Sequence, residues 1–195
     1  MKNVLTRNLA VRLMAVFLLS LGAAAASAQD TNAPKTELDA FEDRTGIVIV
    51  KSVGDIGTIT AATGSVIVKC KESVDISSGL KQQGLAITIA PTGDAKDTTI
   101  IDYDELDALI TALDYLTTVN WSVTRLSSFE ALYTSRDGLR IAVHGNQRTL
   151  NDLGISLQSN RAVKVKISLT PDQFAQFRAL IQQGRAKLDA LRDAK

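Results

Sequence analysis

The chain has 195 residues, 22 basic and 21 acidic, with a net charge of +1, one cysteine and one histidine. That balance is poor at neutralising phosphate, so neither nucleic acid nor an anionic lipid surface is an expected partner. One histidine and one cysteine exclude metal sites built on paired His or Cys ligands, and a lone cysteine closes no internal disulfide.

Lys2, Arg7 and Arg12 precede the apolar run Leu13-Met14-Ala15-Val16-Phe17-Leu18-Leu19, which gives way to small residues ending in Ala26-Ser27-Ala28. A cationic start, a short greasy stretch and an Ala-x-Ala site, in that order, form a cleavable secretory signal peptide over residues 1–28. A permanent anchor needs roughly 20 apolar residues, and this core is shorter. The expectation is export, cleavage near Ala28, a periplasmic or secreted location and no permanent membrane anchor. The alanine-rich signal points to a bacterial source. Its removal leaves 167 residues with 19 basic against 21 acidic, the length of one domain.

Residues 29–44 are polar, contain Pro34, and read as a flexible leader ending in a short helical turn at Glu37 to Phe41. A single domain is expected over 45–195. Ile47-Val48-Ile49-Val50 is a strand, Gly54-Asp55-Ile56-Gly57 a turn, and Thr58-Ile59-Thr60-Ala61 a second strand. Gly64 turns into Ser65-Val66-Ile67-Val68-Lys69-Cys70, where Cys70 reads as a small core residue. The stretch 73–83 carries no clear pattern. Leu85 to Ile89 and Thr98 to Ile101 are further strands. Asp102 is expected to cap the following helix, with Glu105 completing a variant capping box. Leu106, Leu109, Ile110, Leu113 and Leu116 then share one face as far as Val119-Asn120.

Phe129 to Tyr133 and Leu139 to Val143 flank Arg136-Asp137-Gly138, a hairpin turn. Ile155 and Leu157 mark a shorter strand, Asn160-Arg161 a turn, and Val163 to Leu169 an alternating strand. Thr170 and Pro171 open a last helix running to about Arg192, with the seam Phe174, Phe177, Ile181, Gly184, Leu188, Leu191. The reading is α+β: a mainly antiparallel sheet of about eight short strands with two principal amphipathic helices packed on it. No internal repeat is apparent.

Candidate chemistry is sparse, and no residue is assigned a catalytic role. His144 could serve a Ser-His-Asp triad by count, but no Gly-x-Ser-x-Gly elbow exists, and a turn position beyond its strand is expected. Asp102, Asp104, Glu105 and Asp107 form the densest acidic cluster. Acids in a first helical turn are expected from capping alone, so Asp102, Asp104 and Asp107 stand only as candidate metal ligands. Trp121, Tyr115 and His144 are the candidate binding residues, with Trp121 more simply read as closing one end of the core. The GxxG spacing at Gly54-Asp55-Ile56-Gly57 lacks the flanking helices an RNA-binding loop requires.

The runs Ile100-Ile101-Asp102-Tyr103-Asp104-Glu105-Leu106-Asp107-Ala108-Leu109-Ile110, Leu113-Asp114-Tyr115 and Leu126-Ser127-Ser128-Phe129-Glu130-Ala131 resemble a family of small uncharacterised secreted bacterial proteins, as does the closing amphipathic helix. The resemblance implies a single domain and no particular activity, ligand or catalytic residue. The leading expectation is an exported, non-enzymatic binding or interaction module without a cofactor, whose partner is another envelope or secreted protein. The alternatives are a secreted hydrolase using carboxylate or Ser/His chemistry, and a carrier of a small apolar ligand.

Overall fold

The computed structural model describes residues 36–146 and 153–193. The expected signal peptide and residues 29–35 of the expected leader lie outside that range. The order is α1 (Glu37–Glu42), β1 (Ile49–Ala61), β2 (Gly64–Asp75), β3 (Lys81–Pro91), β4 (Asp97–Asp102), a 3-10 turn at Tyr103–Glu105, and α2 (Leu106–Thr118). A second 3-10 turn at Trp121–Val123 leads to β5 (Ser128–Thr134), β6 (Arg140–Asn146), β7 (Gly154–Ser159), β8 (Val165–Leu169) and α3 (Pro171–Asp193).

The protein is α+β, and its described residues form eight antiparallel strands, divided into two sheets of four in the orders β1-β2-β3-β4 and β5-β6-β7-β8. Each sheet is a meander followed by one helix, so the chain repeats a ββββα unit. The joints of the two units match in sequence. Asp102, Asp104, Glu105, Leu106, Leu109 and Leu113 align at a constant offset with Thr170, Asp172, Gln173, Phe174, Phe177 and Ile181. The strands themselves differ in length between the units, which hides the repeat from a search along the chain.

The inner faces of both sheets join one core. Val66, Val68, Leu85 and Ile87 of the first sheet meet Ile141, Leu157 and Ile167 of the second. α3 lies against β1, β2 and β3 of the other unit as well as β8, and α2 lies against β5 and α3. Two helix seams make this possible: Leu106, Leu109, Leu113 and Leu116 on α2, and Phe174, Phe177, Ile181, Gly184 and Leu188 on α3, are buried. Leu191, expected to extend the second seam, is exposed. A Cβ at Gly184 would come within 2.7 Å of Leu85, so glycine allows the helix to sit close to β3. Cys70 is buried beneath it, as a strand core residue should be, and burial pushes its thiol up.

Several local expectations change. Gly54-Asp55-Ile56-Gly57 is a β-bulge within the long strand β1, because pairing with β2 continues on both sides as Gly54↔Cys70 and Gly57↔Val68. The unpatterned stretch 73–83 contains a turn organised by Asp75, whose carboxylate accepts from the backbone N–H and hydroxyl groups of Ser77 and Ser78. These donors hold the Asp75 carboxyl down at about 2. His144 is inside β6 rather than beyond it. The Asp137-Gly138 turn forms as expected, with Gly138 at φ +87.

Capping separates the two helix starts. Thr170 and Gln173 of α3 form a reciprocal box, Gln173 N–H to Thr170 Oγ1 at 3.2 Å and Thr170 N–H to Gln173 Oε1 at 2.9 Å. Asp102 makes no cap bond to the turn that follows it. Its carboxylate instead accepts from Glu37 N–H at 2.8 Å and Leu38 N–H at 3.1 Å, at the start of α1. α1 rests on β2, β3 and β4 with Leu38 and Phe41 buried. Alternation along β2 puts Lys71 and Ser73, its polar partners, on the face opposite Cys70, so α1 covers the outer side of the first sheet.

Candidate functional site

Among the described residues, several buried carboxylates surround β4. Asp97, Asp102 and Asp137 are at most 5% exposed. Asp97 Oδ2 accepts from Ser159 Oγ at 2.6 Å and Arg161 N–H at 2.8 Å, fastening β4 to the β7–β8 turn. Asp137 Oδ2 accepts from Ile100 N–H at 2.7 Å and Arg161 Nη1 at 2.9 Å, so a turn of the second unit occupies the outward edge of β4. Arg161 Nη2 reaches Asp39 of α1 at 2.7 Å. Arg136 donates to Asp104 at 2.6 Å and Asp102 at 3.4 Å, while its N–H binds Glu105 Oε1 at 2.9 Å.

These contacts determine what the cluster can do. Burial disfavours the Arg161 cation, but Asp39 and Asp137 outweigh it and raise its proton affinity. The hydrogen bond from Arg136 to Asp104 raises that of Arg136. Burial first, and the Glu105 carboxylate second, raise the Tyr133 hydroxyl well above its ordinary range. Carboxylates already bound by backbone amides and guanidinium forks are positioned to hold three pieces of chain together. They are not arranged as an acid–base pair open to a substrate. Among the described residues, no three His, Cys, Asp or Glu side chains are grouped to hold a metal ion.

The acids singled out from sequence therefore part company. Asp102 turns to α1 and Arg136, Asp104 to Arg136, and Asp107 to Arg185 on α3 at 2.7 Å. Asp107–Arg185 and Asp114–Arg178 make a two-rung ionic ladder between α2 and α3. Arg185 and Arg192 also stack on the Tyr103 ring, 4.4 and 4.0 Å from its centroid.

The three candidate binding residues are dispersed as well. Tyr115 projects into solvent from α2. Trp121 is partly buried and meets Phe129 edge to face, with centroids 5.3 Å apart. Both rings press on Gly145. His144, the preceding residue, points to the opposite face of β6, exposed in a cross-strand row between Glu130 and Gly154. Its ring fills the space a Gly154 side chain would need.

A different region stands out. Val48, Val50 and Ile76 are 45–68% exposed and share one face where β1 and the β2–β3 turn extend past the core, with Val53 and Leu80 exposed on the other face. A groove of 420 Å³ lies there, lined by Gly46, Ile47, Val48, Ile76 and Ser77. Exposed apolar residues gathered at one place mark interaction surfaces more often than residues scattered singly. Sequence reading placed Ile47 to Val50 in a strand, without marking it as exposed. The available signal was that apolar residues occupy both parities there, Val48 and Val50 on one face, Ile49 and Val53 on the other.

No protein-family model matches the chain, and no curated protein matches it. Among solved structures it is similar to the crystal structure of WHY1 from Arabidopsis thaliana, at 15% identity, covering 75% of this chain and 93% of that one, with a TM-score of 0.34. That likeness is too weak to bear on fold or function. Among the described residues, no helix is long and apolar enough to cross a membrane.

Proposed function

We propose that this protein is an exported, non-enzymatic interaction module that engages a partner protein through the open end of its first sheet. The observation carrying the reading is the exposed apolar group of Val48, Val50 and Ile76 at a 420 Å³ groove that Val48 and Ile76 line. Leaving such side chains in water forgoes hydrophobic stabilisation of about 1.5–3 kcal/mol for each that could be fully buried. A partner that covers them recovers it. The dispersal of His144, Asp102, Asp104 and Asp107 supports a binding role over hydrolysis, because concerted acid–base work needs those groups around one point. The interlocked inner faces of the two sheets favour it over an interior ligand carrier.

Photo-crosslinking side chains at Val48 and Ile76, with a third at Glu130 as control, test the reading in the cell that makes the protein. A discrete protein adduct from the first two positions and none from Glu130 is the expected result. Equal labelling from all three, or turnover in a broad hydrolase screen that His144→Ala abolishes, would overturn it.

A further inference from the structure

The two sheets have four edges, and three carry cover. Asp137 takes the Ile100 N–H on β4, Thr63 exchanges hydrogen bonds with Ser168 of β8, and α2 contacts β5. The edge of β1 upstream of its bulge differs. Val50, Lys51, Ser52 and Val53 are consecutive and all exposed, so neither face nor edge is buried there. The Val48 carbonyl accepts from Ile76 N–H at 3.1 Å. Backbone groups alternate along an antiparallel strand, so residues 48, 50, 52 and 54 bond towards β2, whereas Ile49, Lys51, Val53 and Asp55 direct theirs outward. Lys187 Nζ touches the Asp55 carbonyl at 3.3 Å, leaving that oxygen a second lone pair. An uncovered row of this kind is a template for another strand.

We infer that this edge docks a second copy of the chain, β1 against β1, antiparallel about a two-fold axis through Val53. The inference rests on the reading of this end as an interaction surface and names its occupant. Charge selects the register. With Val53 at the axis, Lys51 lies opposite the partner's Asp55, and the symmetry repeats that pair on the other side. Within the chain Lys51 already meets Glu42 at 2.7 Å and Asp55 meets Lys69 at 2.9 Å, yet the two side chains stay 49% and 82% exposed, so each pair can be joined by the partner's opposite charge. Centring on Lys51 would set the lysine against itself, and centring on Ser52 would set it against valine. The bulge between Asp55 and Gly57 bends the strand and limits the ladder to the stretch where the charges match. A strand of unrelated sequence could satisfy the backbone, but the reciprocal Lys51–Asp55 match belongs to two copies of this one.

Light-scattering molar mass over a concentration series of the purified protein provides the test. The mass should rise towards twice that of the monomer. Val53→Pro should hold it at the monomer at every concentration, with an unchanged unfolding midpoint, because the Val53 N–H makes no bond to β2. Val53→Arg, which brings two guanidinium groups together at the axis without altering the backbone, should do the same. Lys51→Asp, which also loses its own-chain contact with Glu42 and is therefore compared under conditions where circular dichroism shows it folded, should weaken association by about tenfold or more, and adding Asp55→Lys should restore it to within about threefold of wild type. A wild-type monomer throughout, a dimer that survives both Val53 variants, or a charge swap without rescue would each overturn the inference. If the protein stays monomeric yet crosslinks to a different chain through Val48, only this inference falls. If it is monomeric and forms no adduct, the proposed function falls with it.

Discussion

Glu42 fastens α1 to the outer face of the first sheet, and its contribution should depend on pH in a specific way. Its carboxylate lies 2.7 Å from Lys51 Nζ and 2.8 Å from Lys71 Nζ, and it accepts from Ser73 Oγ at 2.5 Å. Burial opposes its charge, yet these donors hold the carboxyl at about 2, against an ordinary 4.5. Each tenfold change in proton affinity is worth about 1.4 kcal/mol, and Lys51 is half exposed and therefore screened. The clamp then contributes about 2–3 kcal/mol at neutral pH. Because the folded value lies below the unfolded one, that contribution is complete above 4.5 and is lost as pH falls through 2. Urea unfolding of wild type and Glu42→Gln should differ by about 2–3 kcal/mol near pH 7 and by much less near pH 2.5, with unchanged slopes. An equal deficit at both pH values, or one under about 0.5 kcal/mol at neutral pH, would refute the account.

Two other perturbations probe the joints. Asp102→Ala removes the acceptor for the first two amides of α1, a cap worth about 1–2 kcal/mol. Limited proteolysis should then cut within 36–44 while the rest of the chain resists, and wild-type protection there would mean that Leu38 and Phe41 hold the helix unaided. Gly145→Ala would bring a methyl within 2.7 Å of Phe129 and 2.9 Å of Trp121, at an overpacking cost of about 1–3 kcal/mol. Since Trp121 is the only tryptophan, its emission should shift to the red, and an unmoved spectrum would place the ring elsewhere.

Much of the local structure was legible because it depends on near neighbours. The leucine spacing of α2, the phenylalanine seam of α3, the alternation of β8 and the Asp137-Gly138 turn each follow from the geometry of a few consecutive residues. The polar residues were harder to read. Asp102 has the local signature of a cap for the helix after it, but its carboxylate is taken by amides more than sixty positions upstream. His144 and Gly145 are adjacent in sequence and serve opposite faces of one strand.

The sequence by itself determined the element types, the hydrophobic seams, the α+β class and the lack of paired His or Cys ligands, since these depend on composition and period. Only the tertiary structure decided that eight strands divide four and four into a repeated ββββα unit, that Gly54 to Gly57 is a bulge, and that the acids scatter into separate ion pairs. It alone left the apolar start of β1 beyond the core. The physical reason is range. Periodicity is set within a turn or two of chain, whereas strand pairing, edge cover and the partners of a buried carboxylate depend on segments brought together only when the whole core closes.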